Sequence, residues 1–156
     1  MKRDFPFSRP FSRPLSLPFA LVAGLALLTG CSPATTTTPA ADPASAVGAE
    51  TIAPGYAVRG QIALPDLAEL SKAGYRTIIN NRPDGEEPGQ PTSAEVAAEA
   101  ARLGLAYHYI PVAKSGPTEN DARALAAVLG KNPGPTLAFC RSGRRAAALK
   151  KLADGL

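Results

Sequence analysis

Thr136-Leu137-Ala138-Phe139-Cys140-Arg141-Ser142-Gly143-Arg144-Arg145-Ala146 decides the reading of this chain. A short apolar run, Thr136–Cys140, has the makings of a buried strand. Ala146 to Leu152 is strongly helix-forming. Between them lies a turn that holds a thiol, a glycine and three arginines. The backbone N–H groups of such a turn, together with the start of the helix, form a nest for an anion. Cys140 would lie at its base, with Gly143 allowing the sharp turn. Positive potential from the nest and from Arg145 would raise the thiolate fraction. Arg145 could hold two oxygens of a phosphate or sulfonate. An activated nucleophile in an anion cradle is the equipment for covalent catalysis at phosphorus or sulfur. Arg141, Ser142, Gly143 and Arg144 complete the oxyanion-binding loop, Arg141 and Ser142 mainly through backbone N–H groups.

Working outward, strand and helix alternate. Tyr56–Ile62 reads as a first strand, and Pro65–Leu70 starts a helix that Gly74 ends. Tyr75–Asn80 is rich in β-branched and aromatic residues and reads as a strand. Thr92 with Glu95 forms a capping box ahead of a helix whose apolar face is Val96, Ala100 and Leu103. Leu105–Val112 is the next strand, and Thr118 caps a helix striped with Leu125, Val128 and Leu129. The alternation predicts a compact three-layer α/β domain, with a small, largely parallel sheet between helices. Ligands of such sheets bind beyond the carboxyl ends of the strands, where Cys140 falls.

The loop and the strand before it resemble those of cysteine-dependent phosphatases and rhodaneses. Asn80-Asn81-Arg82-Pro83-Asp84-Gly85-Glu86-Glu87-Pro88-Gly89-Gln90-Pro91, with Tyr107–Val112 and Cys140-Arg141-Ser142-Gly143, is similar to the phosphatase-like domain of the beta-lactamase hydrolase-like family. The resemblance covers nearly all of residues 52–152. It implies a fold like that of the dual-specificity phosphatases, with Cys140 and Arg145 as the family's loop cysteine and arginine. Members are described both as phosphatases and as sulfur transferases, some beside metallo-beta-lactamase-like domains in sulfide metabolism. This chain departs from the common tyrosine-phosphatase signature. Phe139 stands where His precedes the cysteine, four residues rather than five separate Cys140 from Arg145, and Ala146 replaces the following hydroxyl. The six-residue loop matches the rhodanese length.

Phosphoester cleavage by a cysteine enzyme usually needs an acid for the leaving oxygen. Asp84 is the expected acid, since the resemblance places its loop near the cleft. An Asp-Gly turn with solvated glutamates is the equally weighted alternative. Asp121 is the weaker candidate, better suited to stabilising a helix start. His108, the only histidine, alternates onto the face opposite Tyr107 and Tyr109 and fits a surface or core-edge role. Three functions follow in order. The first is a cysteine-dependent phosphatase-like hydrolase, the second a sulfurtransferase carrying a Cys140 persulfide, the third a non-catalytic anion-binding module. The expected partner is an oxyanion substrate, small or on a phosphoprotein, or a sulfur donor and acceptor. No metal or organic cofactor is implied.

The other end of the chain reads as an address. Residues 1–30 hold four basic residues against Asp4, then a mostly apolar Leu15–Leu28, then Leu28-Thr29-Gly30-Cys31. That is the layout of a secretory signal, and it resembles a bacterial lipobox. The expectation is cleavage before Cys31, lipidation of Cys31 and a flexible tether over 31–50, with the domain at 51–156. The protein would then face the periplasm on a lipid anchor, with the outer membrane favoured because Ser32 follows. The net charge of +4 shrinks to +1 without the leader. No basic stripe with interleaved aromatics supports nucleic-acid binding. With Cys31 lipidated, Cys140 is the one free thiol, and two cysteines with one histidine make neither a disulfide framework nor a structural zinc site.

Overall fold

The computed structural model describes residues 42–156. The secretory leader, Cys31 and residues 32–41 of the expected tether lie outside them. The elements run α1 (Pro43–Ala46), β1 (Glu50–Ala53), β2 (Tyr56–Arg59), α2 (Asp66–Lys72), β3 (Thr77–Asn80), α3 (Ser93–Arg102), β4 (Ala106–Tyr109), α4 (Glu119–Lys131), β5 (Thr136–Phe139) and α5 (Arg144–Ala153). The sheet order is β1-β2-β5-β3-β4. β2, β5, β3 and β4 run parallel, and β1 adds an antiparallel edge. The predicted α/β sheet between helices is therefore the observed architecture.

Period-two alternation builds two cores from one sheet. Ala57, Ile78, Leu137 and Phe139 face one side, where Leu67 and Leu70 of α2 and Val96 and Ala100 of α3 cover them. Val58, Ile79 and Ala138 face the other, against Ala122 and Leu125 of α4 and Ala146 and Leu149 of α5. β3 and β5 are buried along their whole length, as central parallel strands with both faces covered must be.

Two boundaries differ from expectation. The tether does not extend to residue 50. Asp42 Oδ1 accepts the Ala44 N–H at 3.0 Å, Pro43 opens α1, and Ala44 is buried. A stretch of small side chains still packs here, with Ala44 in the core and Val47 and Ala49 against it. The strand expected over Tyr56–Ile62 is β2, and it ends early, at Arg59. Gly60 and Gln61 leave the sheet ladder to run against the Cys140 loop, with Gly60 bridging Ser142.

The predicted capping box of α3 is present, and the predicted Thr118 cap of α4 is also a full box. Thr92 and Glu95 cap α3, and Thr118 and Asp121 cap α4. Asp121 is thus committed to a helix start. His108 is partly exposed on β4, with Nε2 3.2 Å from Asn132 Nδ2.

Candidate active site

β5 is the central strand, and it delivers Cys140 to the carboxyl edge of the sheet. The loop that follows is short because Gly143 turns it at φ 85°, a left-handed conformation that penalises any Cβ. Gly143 is also the N-cap of α5, so no side chain takes up the first N–H groups of that helix. They turn to the sulfur instead. Burial pushes the Cys140 thiol up, and N–H groups of Ala146, Ser142, Arg145 and Gly143 pull it down. The donors prevail, and the thiol lies below its ordinary value. Cys140 itself is buried, so the sulfur sits at the bottom of its nest.

The backbone around the nest is fastened from β2. The Gln61 N–H donates to Arg141 C=O at 3.2 Å, and the Cys140 N–H to Arg59 C=O at 3.4 Å. Gly60 packs closely here: a Cβ would stand 3.3 Å from Arg141 O, and the backbone would have to give by a few tenths of an ångström.

Arg145 is oriented by the 82–87 segment. Its Nη1 and Nη2 donate to Glu86 Oε1 and Oε2 at 2.7 and 2.8 Å, and Nη1 also donates to Val112 C=O at 2.8 Å. Three of its five N–H groups are thereby used. The Nε–H and the remaining Nη2–H share one edge of the guanidinium. The Glu86 bonds hold Arg145 above its ordinary value against the opposing effect of burial, and the Cys140 sulfur adds to this. Glu86 in turn is pulled down to about 2, first by Arg145 and then, against burial, by Arg82.

Arg82 lies beneath this pair. It is buried, and its Nε, Nη1 and Nη2 donate to Glu86 Oε2 at 3.0 Å, Gln61 Oε1 at 2.7 Å and Glu87 Oε2 at 2.7 Å. Glu87 Oε1 pairs with Arg141 Nη2 at 2.7 Å. Side chains therefore alternate Arg141, Glu87, Arg82, Glu86, Arg145, each within 3.0 Å of the next.

Above the loop is a depression of about 310 Å³ lined by Glu86, Lys114, Gly116, Pro117, Arg141, Ser142, Arg144, Arg145 and Ala148. The structure brings Cys140, Arg145 and the loop residues together, Cys140 beneath the residues that line the depression, with two differences of detail. Arg141 contributes its carbonyl and an ion pair, not an N–H to the sulfur. The Ser142 hydroxyl accepts from Arg144 Nε at 3.4 Å, and the Ser142 N–H is directed at the thiol.

Asp84, the expected acid, is bonded elsewhere. It does not line the depression, and its Oδ1 accepts the Ser93 N–H at 2.8 Å at the start of α3. Its own N–H donates to Tyr109 Oη at 3.0 Å. The Asp84 carboxylate is spent on the first N–H of α3. The residues sequence reasoning underrated are Glu86, Arg82, Gln61 and Gly60. Arg82 and Glu86 at i, i+4 were a visible signal, although no helix joins them. Among the described residues no three His, Cys, Asp or Glu side chains gather as a metal site.

Residues 49–156 match the family described as beta-lactamase hydrolase-like protein, phosphatase-like domain. Beta-lactamase hydrolase-like proteins of Agrobacterium fabrum and Xylella fastidiosa are 40% and 41% identical over 99 and 98 residues. Those matches cover 64% and 63% of this chain and only 23% of either relative. The solved structure of a candidate phosphatase from Neisseria meningitidis is 30% identical. It has a TM-score of 0.58 and covers 65% of this chain and 74% of its own. One from Shewanella putrefaciens shares the fold at a TM-score of 0.61 and 24% identity, over 68% and 69% of the two chains. With the family's match running from the first strand to the last helix, this chain belongs to the beta-lactamase hydrolase-like protein family and carries its phosphatase-like domain.

Proposed function

We propose that this domain is a cysteine-dependent hydrolase of phosphoesters, with Cys140 as nucleophile. The observation that carries the reading is the convergence of four backbone N–H groups on one buried thiol, beside a guanidinium with a free edge. Cys140 Sγ would attack phosphorus while the leaving oxygen departs with the bonding pair, giving a thiophosphate. Water would then cleave that bond and release phosphate and the thiolate. The loop N–H groups and the Nε and Nη2 edge of Arg145 would hold the phosphoryl oxygens as charge builds. Family and fold both support hydrolase chemistry of the phosphatase type.

A second reading is favoured by the carboxylates. The one acid lining the depression, Glu86, is ionised by two arginines and has no proton to give. Esters with poor leaving groups would therefore react slowly, whereas sulfur transfer needs no acid. In that reaction Cys140 Sγ attacks the outer sulfur of thiosulfate, the S–S bond breaks, and sulfite leaves with the electron pair. Cyanide then takes the sulfur as thiocyanate and restores the thiolate.

The test runs the full-length chain and Cys140→Ser side by side on an aryl phosphate and on thiosulfate with cyanide. Phosphate release that vanishes in Cys140→Ser supports the first reading, and thiocyanate alone supports the second. Silence in both, with phosphate still bound by Cys140→Ser, supports an anion-binding module. The proposal places the domain at the periplasmic side of a membrane on a lipidated Cys31. Incorporation of labelled palmitate that Cys31→Ala abolishes is the expected result.

A further inference from the structure

Burying a guanidinium is costly unless every donor edge finds an acceptor and a counter-charge lies close. Arg82, only 2% exposed, has an acceptor on each of its three nitrogens and two carboxylates beside it, and these partners share one property. Glu86 holds Arg145, at the far end of the Cys140 loop. Glu87 holds Arg141, at the near end. Gln61 holds the Arg141 carbonyl through its own N–H. All three acceptors of Arg82 therefore reach the loop, by three different routes.

We propose that Arg82 is a positioning residue for the Cys140 loop, fixing both of its ends and the direction in which Arg145 faces the thiol. The inference rests on Cys140 being the nucleophile, and Arg82 itself touches neither sulfur nor substrate. Glu86 Oε2 is the shared atom, 3.0 Å from Arg82 Nε and 2.8 Å from Arg145 Nη2. Arg82 thus fixes the plane of the Glu86 carboxylate. That plane commits the end of the Arg145 guanidinium and leaves its Nε edge for the anion. Without Arg82, Glu86 keeps one arginine and can turn with it. Glu87, already 42% exposed on its side chain, is free to swing into solvent and take Arg141 with it. The charges alternate in sign along the chain of five, so removing the middle one leaves two carboxylates with no cation between them.

Lysine keeps the charge of Arg82 but offers one ammonium where a planar fork served three acceptors. The experiment compares the full-length chain with Arg82→Lys and Glu87→Gln, and reads the pH dependence of Cys140 alkylation by iodoacetamide beside kcat and KM. The expected result for Arg82→Lys is a titration midpoint moved upward and kcat reduced about 10- to 100-fold, the scale of a small misplacement of a reacting group, with KM changed less. Glu87→Gln moves both in the same direction by a smaller factor. A folded Arg82→Lys protein with the parent's alkylation profile and kcat would overturn the proposal. Should Arg82→Lys not fold, an unaltered profile in Glu87→Gln overturns it instead. Alkylation requires no substrate, so a parent chain inactive on both assay substrates would count against the proposed function while leaving the positioning readout intact.

Discussion

Helices α4 and α5 begin in opposite ways. α4 starts with Thr118 and Asp121, whose side chains satisfy the exposed N–H groups at 2.8 to 3.3 Å. α5 starts with Gly143, which has no side chain to offer. Every helix start has the same unpaired donors. At α4 they are consumed in holding the helix. At α5 they are left open and meet the Cys140 sulfur. A related contrast separates the two loops at this edge of the sheet: residues 142–146 gather backbone N–H groups around the thiol, and residues 82–87 hold Arg141 and Arg145 through side chains.

The hardest way to break that contrast is to remove what the α5 donors serve. Cys140→Ser should lower turnover about 10⁴-fold or more on whichever substrate is accepted, as loss of a nucleophile does, with the fold intact by circular dichroism. Thr118→Ala, at the other helix start, should leave turnover unchanged. It should lower stability by about 1 kcal/mol in a denaturant titration. Next in size is the side-chain support. Glu86→Gln removes the anion that holds Arg145, and the expected loss in kcat is about 10²-fold. A loss confined to KM would show that Glu86 tunes substrate affinity and does not orient the transition-state contacts.

How much of this was legible in the sequence follows the same division. The cradle was readable because strand, thiol, glycine and arginine are contiguous in Thr136–Arg145, and backbone donors need no partner from elsewhere. The sheet was readable because the β-branched run at Thr77–Asn80, the apolar run at Thr136–Phe139 and the Thr92 and Thr118 caps are local patterns. Arg82 and Glu86 were not readable in their roles, because those roles depend on where Arg145 and Gln61 arrive across the sheet edge. Asp84 misled for the same reason. Its loop does reach the site, but two residues along the turn separate a carboxylate that meets Ser93 N from one that meets Arg145. The helical turn at Pro43–Ala46 was missed because its burial rests on alanine, which carries no strong apolar signal.

Two smaller effects sharpen the comparison. Gly143→Ala places a Cβ at positive φ, at a cost of about 1–2 kcal/mol. There is space for the methyl, whose nearest neighbour would be Arg59 O at 3.4 Å, so the loss should follow from backbone strain. Acid should act through Glu86. Its folded value of about 2 lies below the ordinary 4.5, so the stability it contributes is complete above 4.5. That contribution is lost as pH falls from 4.5 toward 2. In Glu86→Gln this part of the acid sensitivity should disappear from pH-dependent melting curves. Smallest of all, Asp84→Ala should cost stability on the scale of one helix cap and leave turnover within about twofold. A large fall in phosphate release there would return Asp84 to the mechanism.

The position of β5 has a consequence in time. It is bonded on both sides, to β2 and to β3, and both its faces are covered. Backbone amides of such a strand exchange with deuterium only when the whole domain opens. Cys140 is the next residue along, so its carrier is among the slowest-opening parts of the molecule. Reagents that meet this thiol while the domain stays closed must come through the mouth of the loop. Any route from behind runs at the rate of global unfolding, and the deuterium uptake of Leu137 and Ala138 would measure that rate directly.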